Sequence, residues 1–295
     1  MLTNSSRFTT YVSQINNIKF DATFLPVVAT SFTIFMVLYK FANPFFSNLL
    51  VKSYKNFTIT QKIDFSTRIN SSINSFTVGT ICVYMMIADR GLEANPLLYK
   101  SYLLKTNLAI VIGYLFADTA ISIIHYKKVG DPFTITHHLV SIYAFFYVLT
   151  LDVMPYFANF RLLAELSTPF VNIRWFLDTL KFSRTSTPFV ANGLIMTLLF
   201  FFVRIVAMPI YWYKVYVVAI QPMWAHMGHF RFILISVCIV LDVINIYWFS
   251  KMLRGCIKIL QAVFAIKQSQ IRTSNSNTST QQNSNLRTTV HNKQP

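Results

Sequence analysis

Residues 135–150 read ITHHLVSIYAFFYVLT. Two adjacent histidines, His137 and His138, open a run of apolar and aromatic residues that approaches the roughly 20 residues a helix needs to cross a bilayer. A titratable side chain inside a membrane span is costly unless it faces protein or water, and such a residue is a candidate functional group by default. The stretch therefore predicts a transmembrane helix with two imidazoles near one membrane surface.

The composition is that of a membrane protein. The chain has 295 residues, of which 54% are hydrophobic and 12% are charged, whereas soluble domains carry about 25% charged residues. The mean hydropathy is +0.47. The net charge of +16 comes from basic residues that lie between apolar runs and near the C-terminus, as the cytoplasmic loops of membrane proteins require. Nucleic acid is therefore not an expected partner.

The apolar runs predict an all-α integral membrane protein with about seven transmembrane helices. The fifth run contains Arg161, Glu165 and Arg174, and a strict hydropathy cut-off would miss it. We include it because it keeps the basic loops on one side of the membrane. The expected spans are residues 23–42, 70–88, 103–124, 133–151, 156–177, 189–213 and 230–252.

The distribution of lysine and arginine orients these spans. With the N-terminus outside, the basic segments fall inside, so the C-terminus is expected in the cytoplasm. The last segment is rich in Asn, Ser, Thr and Gln and has almost nothing to bury, which predicts disorder. The expected divisions are an extracytoplasmic N-terminus (1–22), a first helix with a basic cytoplasmic loop (23–59), the main membrane domain (60–262) and a disordered polar cytoplasmic tail (263–295).

Polar residues within the spans are the candidate site. Asp118 and the two histidines enter from the same side and lie at similar depth, so an Asp–His contact is expected. Neighbouring histidines point about 100° apart on a helix, so only one can aim straight into a central cavity. We take His137 and His138 as the candidate catalytic residues. The expected cavity-lining residues are Asp118, Arg161, Glu165, Ser167, Thr168, Arg204 and Asp242.

Structural readings of these residues stay open beside the functional one. Arg161 and Glu165 are spaced i,i+4 on the fifth span, and the four residues Arg161, Glu165, Arg204 and Asp242 can equally serve to fix the register of the bundle through interhelical pairing. The histidines can form a hydrogen-bonded structural cluster or an interfacial anchor. A metal site is not expected, because no H-E-x-x-H motif is present and His226 and His229 fall across the membrane from the pair.

Three blocks resemble a known family: GDPFTITHHLVSIYA, RLLAELSTPFVNIRWFL and FFFVRIVAMP, at 130–144, 161–177 and 200–209. They resemble the TLC domain that ceramide synthases share with TRAM proteins, and the E-L-S-T-P-F segment resembles the branch called TLC domain-containing protein 4. The resemblance covers residues 60–262. It implies six helices around a long cavity open to the cytoplasm, with a further helix at the N-terminus.

The resemblance also bears on chemistry. In ceramide synthases a histidine pair lines the cavity and serves acyl transfer from acyl-CoA, and His137 and His138 match that pair. The synthases carry two aspartates where this chain has only Glu165. Ser141 stands where the synthases have Thr, and Phe65 and Asn74 stand where the branch has Trp and His. These departures weaken the case for synthase chemistry.

Three functions follow from these readings. The favoured one is a non-catalytic protein of lipid homeostasis that binds a lipid or acyl chain in its bundle and influences membrane lipid composition. The alternative is an acyltransferase that uses the histidine pair, with acyl-CoA as a substrate and no bound cofactor. A carrier or channel ranks last, because Pro169 is the one candidate for a broken helix and no internal repeat is found. We expect the endoplasmic reticulum, with the plasma membrane as the other address, and leave a homodimer open.

Overall fold

The structure is a computed structural model that describes residues 13, 15 and 17–291. Every regular element in that part of the chain is helical. Short helical turns at Lys52–Asn56, Arg90–Ala94, Tyr126–Val129 and Pro222–His226 lie in the connections. The main helices are α1 (Leu25–Leu50), α2 (Ile59–Ala88), α3 (Tyr102–Ile124), α4 (Pro132–Leu151), α5 (Pro155–Leu162), α6 (Thr168–Thr179), α7 (Thr187–Ala219) and α8 (Phe230–His291).

Six of these helices are long and apolar enough to cross a membrane: α1, α2, α3, α4, α7 and α8 as far as Gln270. The span expected at 156–177 is α5 and α6 joined by the 3₁₀ turn Leu163–Ser167. This broken helix is roughly 35–40 Å long, enough for the roughly 30 Å of the hydrocarbon core. The predicted all-α, multi-pass membrane fold is confirmed.

The helices form a closed ring with one helix outside it. Around the ring, α2 packs on α3, α3 on α4, α4 on α8, α8 on α7, α7 on α6, and α6 back on α2. Helix α1 packs mainly on α3. The ring of six spans encloses the polar residues of the candidate site, and α1 is the additional N-terminal helix that the sequence predicts.

A small residue brings α1 and α3 into close contact. A Cβ atom added to Gly113 on α3 would lie 2.5 Å from the Val28 carbonyl oxygen, a distance that no real side chain adopts. At the same crossing, Ser31 Oγ donates a hydrogen bond to the Ile110 carbonyl, at 2.8 Å. Small residues at such positions let helix backbones approach closely within a membrane.

Polar side chains of α2 satisfy carbonyl groups of α1. A π-helical turn at Leu38–Ala42 interrupts the regular backbone hydrogen bonds of α1. Asn70 Nδ2 donates to the Phe35 carbonyl at 2.9 Å, and Ser66 Oγ donates to the Tyr39 carbonyl at 2.9 Å. The polar first turns of α2, unusual in a membrane span, therefore serve to dock α1.

A lysine joins three segments at the opposite end of the bundle. Lys105 Nζ on α3 lies 2.6 Å from Asp21 Oδ2 and 2.7 Å from Asp152 Oδ1. The hydrogen bond from Lys105 lowers the pKa of Asp21 below its usual range. A lowered folded-state pKa means that this contact stabilises the fold above the unfolded pKa of about 4 and is lost as the pH falls toward the folded pKa.

Removal of this lysine gives a first test of the fold. We expect Lys105→Met to lower the free energy of unfolding by about 2 kcal/mol, because two carboxylates lose a charged hydrogen-bond donor. The matched control is Lys100→Met. Lys100 also pairs with Asp152, at 3.4 Å, but its side chain is 77% exposed against 13% for Lys105. Thermal unfolding in detergent compares the two, and equal effects would contradict the assignment.

Helix α8 continues beyond the membrane-length segment as far as His291. Its backbone is therefore helical over most of the segment for which the sequence predicts a disordered tail, and residues 292–295 lie outside the described residues. The side chains of 261–270 are mostly exposed. The continuous helix rests on its own backbone hydrogen bonds there, since the segment has few apolar residues to bury. The domain boundaries stay predictions.

Candidate functional site

A polar cavity of about 510 Å³ lies inside the ring, at the end where the 125–131 connection joins α3 to α4. All six spans of the ring contribute to its wall. Charged and imidazole groups crowd this wall, and they come from α2, α3, α4, α7 and α8, from the 3₁₀ turn of the broken helix and from the 125–131 connection. They are Asp64, Arg68, Asp118, Asp131, His137, His138, Glu165, Arg204 and Lys251.

The two histidines take different positions on this wall. His138 is buried against α3, where its Nδ1 atom lies 3.5 Å from Asp118 Oδ2, an ion-pair distance at the limit of hydrogen bonding. His137 is half-buried and turns toward α8, with its ring centroid 5.1 Å from that of Trp248. The two imidazole centroids are 6.0 Å apart. The Asp–His contact expected from depth alone is present, and His137 is the more accessible of the pair.

The side-chain amide of Asn172 organises another part of the cavity wall. Asn172 on α6 receives a hydrogen bond from Arg68 Nη1 at 3.2 Å. Its own amide nitrogen donates to the hydroxyls of Ser71 and Ser72, at 3.1 and 3.0 Å. The Arg68 guanidinium also stacks over the ring of Trp175, 4.9 Å from its centroid. These contacts fix the Arg68 guanidinium at the cavity, and no carboxylate in the described part of the chain forms an ion pair with it.

Two backbone irregularities meet at Arg204. This residue lies in a π-helical turn of α7, Phe201–Val206, and points at the 3₁₀ turn of the broken helix. Its guanidinium donates to Ser167 Oγ at 3.1 Å, to the Ala164 carbonyl at 2.9 Å and to Asn245 Oδ1 at 2.9 Å. Pro169, the one candidate for a broken helix, lies at the start of α6 directly after the 3₁₀ turn, a position that suits a residue with no N–H to donate.

Arg161 has a different partner from the one its spacing indicates. The guanidinium binds Asp242 on α8, with Nη1 2.5 Å from Oδ1, and not Glu165. Trp212 Nε1 donates to the other carboxylate oxygen of Asp242 at 2.8 Å. The i,i+4 spacing brings no ion pair here because Glu165 lies in the 3₁₀ turn, where three residues make a turn and the α-helical register is lost. The contact that Arg161 makes with Asp242 is of the interhelical kind that the sequence left open.

The expected lining residues separate into three groups. Asp118, Glu165, Thr168 and Arg204 line the polar cavity with the histidines. Arg161 lines the smaller cavities deeper in the bundle. Ser167 and Asp242 lie behind the wall, where Ser167 accepts a hydrogen bond from Arg204 and Asp242 binds Arg161. Their positions are those of residues that hold the lining arginines in place.

Two smaller cavities of about 50 Å³ each continue the polar one along α4. The first shares His137 and Glu165 with the polar cavity, and the second shares Ser141 and Phe145 with the first. The wall of the second cavity is almost wholly apolar. A path thus leads from a charged mouth to an apolar end, which suits a molecule with a polar head and a hydrocarbon chain.

The groups at the mouth can move protons and bind polar heads. A histidine is suited to proton transfer near neutral pH, and two arginines and a lysine in the wall can bind an anionic group. Among residues 17–291 no three His, Cys, Asp or Glu side chains come together as ligands for a metal ion.

Comparison with known families adds a decisive observation. The family model of the TLC domain matches residues 64–254 of this chain. The chain belongs to the TLC domain family. The matched region begins in α2 and ends in α8, so it covers the six spans of the ring and leaves out α1. The TLC resemblance predicted from the three sequence blocks is confirmed.

The relatives share most of their length with this TLC protein. TLC domain-containing protein 4-B of Danio rerio is 40% identical over 235 residues, which are 79% of this chain and 89% of the relative. TLC domain-containing protein 4 of Homo sapiens is 38% identical over 245 residues, 81% and 91% of the two chains. Topoisomerase I damage affected protein 4 of Saccharomyces cerevisiae is 27% identical over 237 residues, 76% and 81% of the two chains. No solved structure matches.

Sequence reasoning identified Asp242 but missed two residues near it on the same face of α8 in this TLC protein, Asn245 and Trp248. Asp242, Asn245 and Trp248 recur every third residue on α8, and they contact Arg161, Arg204 and His137 respectively. Such spacing places side chains on one helix face. Polar residues repeated at this spacing in an otherwise apolar span were the signal that identifies the inward face of α8.

Proposed function

We propose that this TLC protein is a protein of lipid homeostasis that binds a lipid or acyl chain inside its ring and thereby influences membrane lipid composition. The observation that carries the proposal is the row of three cavities along α4, in which neighbouring cavities share lining residues and the wall changes from charged to apolar. Buried charges in a membrane are costly and normally face a water-filled or ligand-filled space. The number of charged groups at one end of the bundle therefore supports a polar ligand in this cavity.

The orientation of the protein in the membrane and its compartment form part of the same proposal. The mouth of the cavity lies at the end of the bundle that carries Lys127 and Lys128 in the 125–131 connection and Lys181 and Arg184 between α6 and α7. The positive-inside rule assigns this end, and the C-terminus with it, to the cytoplasm. We place the protein in the endoplasmic reticulum, where a cavity open to the cytosolic side meets newly made lipids.

The decisive experiment blocks the path without touching the charges. Ser141 is buried on α4 and lines both small cavities, so Ser141→Phe fills the passage. The control is Leu139→Phe on the same helix, whose side chain is half exposed on the outer face. We expect Ser141→Phe to reduce co-purified lipid about tenfold, equivalent to ~1.4 kcal/mol, and Leu139→Phe to leave it unchanged.

The measurement is mass spectrometry of lipids extracted from the full-length protein purified in mild detergent, with thermal unfolding as the check on folding. If both variants carry as much lipid as the parent, the cavity is not a lipid site. A lipidomic comparison of cells that contain the parent or Ser141→Phe then reads the effect on membrane composition.

Acyl transfer is the second candidate, favoured by the Asp118–His138 contact beside an accessible His137. A carboxylate that orients an imidazole suits a general base acting on an amine or hydroxyl. If this function holds, purified protein turns over labelled acyl-CoA with such an acceptor, and His137→Ala or His138→Ala slows turnover by about 10²–10⁴-fold. Bound lipid without any turnover supports the non-catalytic function, which we prefer because the aspartate pair of the synthases is absent.

A further inference from the structure

A second cavity, of about 440 Å³, lies between α6, α7 and α8 beside the mouth of the polar cavity. Four cations line it, Arg68, Arg174, Arg184 and Lys251, against the single carboxylate of Asp178. We call it the basic groove. Arg68 and Lys251 also line the polar cavity, so the two spaces share a wall.

Three of the four cations of the basic groove, Arg68, Arg174 and Lys251, are held in place without an ion pair to a carboxylate of the described residues. The Arg174 guanidinium stacks on the ring of Phe189, 3.7 Å from its centroid, and Lys251 Nζ lies 4.5 Å from the ring centroid of Tyr247. Within residues 17–291, no carboxylate lies at ion-pairing distance of Arg174 or Lys251. The Nε atom of Arg68 is buried and has no hydrogen-bond partner in the same part of the chain.

Of the four cations, only Arg184 has an acidic partner among the described residues, and that pair is open to solvent. Its Nη2 atom lies 3.0 Å from Asp178 Oδ1, and the two side chains are 72% and 52% exposed. Pairs of this kind are weak, so the carboxylate of Asp178 can give way to an incoming anion. Guanidinium groups bind phosphate oxygens with paired, charge-assisted hydrogen bonds, which makes a phosphate the anion that suits this set.

The remaining wall of the groove is apolar and leaves space. Leu194, Ile259 and Leu260 line it. Gly193 lies opposite Arg174, and a Cβ there would come 3.3 Å from its Nη1 atom. A Cβ on Gly255 would meet nothing within 4 Å. A site with cations on one side and aliphatic side chains on the other accepts an amphiphile.

We propose that the basic groove binds the phosphate group of an anionic amphiphile, with a phospholipid head group as the favoured source and a soluble phosphorylated carrier as the other. The inference rests on the proposed lipid-handling function, since it names the head group that is held beside the polar cavity. The phosphate lies between Arg68 and Arg174, and the hydrocarbon chains follow the apolar wall.

The test uses the full-length chain, delipidated in detergent, with dioleoyl phosphatidic acid as the probe and native mass spectrometry as the readout. We expect the double variant Arg174→Gln/Arg184→Gln to weaken binding about tenfold, equivalent to ~1.4 kcal/mol. The control is Arg254→Gln, an exposed arginine on α8 that does not line the groove. We also expect Gly255→Trp to block binding by filling open space.

A second readout locates the bound probe. Cys256 lines the groove and is half-buried, whereas Cys82 and Cys238 are buried. Phosphatidic acid should slow maleimide modification of Cys256 in the parent and not in the double variant. Thermal unfolding of each variant shows whether it is folded. If the double variant is misfolded, the binding of phosphatidic acid by Gly255→Trp decides whether the groove is the site.

Each remaining outcome has a meaning. If coenzyme A displaces phosphatidic acid from the parent and not from the double variant, the phosphate belongs to a soluble carrier. If only lipid displaces the phosphatidic acid, the phosphate belongs to a phospholipid. The phosphate site is overturned if oleic acid competes as well as phosphatidic acid does, or if Arg254→Gln loses as much binding as the double variant. If Ser141→Phe removes co-purified lipid while the groove variants bind phosphatidic acid normally, the proposed function stands and this inference falls. If Ser141→Phe has no effect, the proposed function fails by itself.

Discussion

Asp242→Ala is expected to lower the free energy of unfolding by about 3–5 kcal/mol, the cost of leaving a buried charge without its partner. The pair it breaks, Arg161–Asp242, has side chains only 14% and 11% exposed. The Arg161 guanidinium also stacks on Tyr211, 3.9 Å from the ring centroid, so the orphaned cation cannot turn away to solvent. Thermal unfolding of the purified protein in detergent measures the loss.

The same pair allows a sharper result from a double substitution. Because an apolar replacement of both partners removes the desolvation cost together with the attraction, Arg161→Met/Asp242→Leu should recover most of the stability that either single change loses. Asp178→Asn, which breaks the exposed pair with Arg184, should cost less than about 1 kcal/mol. A double variant as unstable as the sum of its singles would show that the pair is not the source of the loss.

Arg204→Met is the second change with a large expected effect, about 3 kcal/mol or more, since three charge-assisted hydrogen bonds disappear at once. They join α7 to the broken helix through Ala164 and Ser167, and to α8 through Asn245. The loss should also loosen the wall of the polar cavity, so lipid binding should fall together with the unfolding temperature.

Arg204→Lys separates charge from geometry. Lysine keeps the positive charge near Glu165 but has no planar fork of donors, so it cannot reach all three acceptors. We expect it to restore less than half of the lost stability. Full rescue by lysine would mean that charge alone matters here and that the hydrogen bonds to the 3₁₀ turn contribute little.

Local and periodic signals predicted much of this fold. Most of the spans were predicted from the length and apolarity of the runs. The span that contains Arg161, Glu165 and Arg174 was predicted because it keeps the basic loops on one side of the membrane. Equal depth brought Asp118 to His138 because consecutive spans joined by a short connection are neighbours. The one candidate for a broken helix, Pro169, lies directly after the 3₁₀ turn that interrupts the span.

Partners across the ring were beyond sequence reasoning. Arg161 and Asp242 lie 81 positions apart, and Arg68 and Asn172 lie 104 positions apart. Such contacts depend on which faces two helices turn toward each other, and the 3₁₀ turn rotates the face of the broken helix by an amount that no spacing rule anticipates. The basic groove, which draws on four separate helical elements and a connection, is hidden from sequence for the same reason.

The attachment of α1 has a consequence for the order of assembly. Hydrocarbon tails solvate an apolar helix as well as another apolar helix does, so the apolar surface of α1 provides no hydrophobic driving force for its association with the bundle. What holds it is the close approach at Gly113 and the amide and hydroxyl donors of α2. Docking of α1 must therefore wait until α2 and α3 are inserted side by side, which makes it a late event in biogenesis.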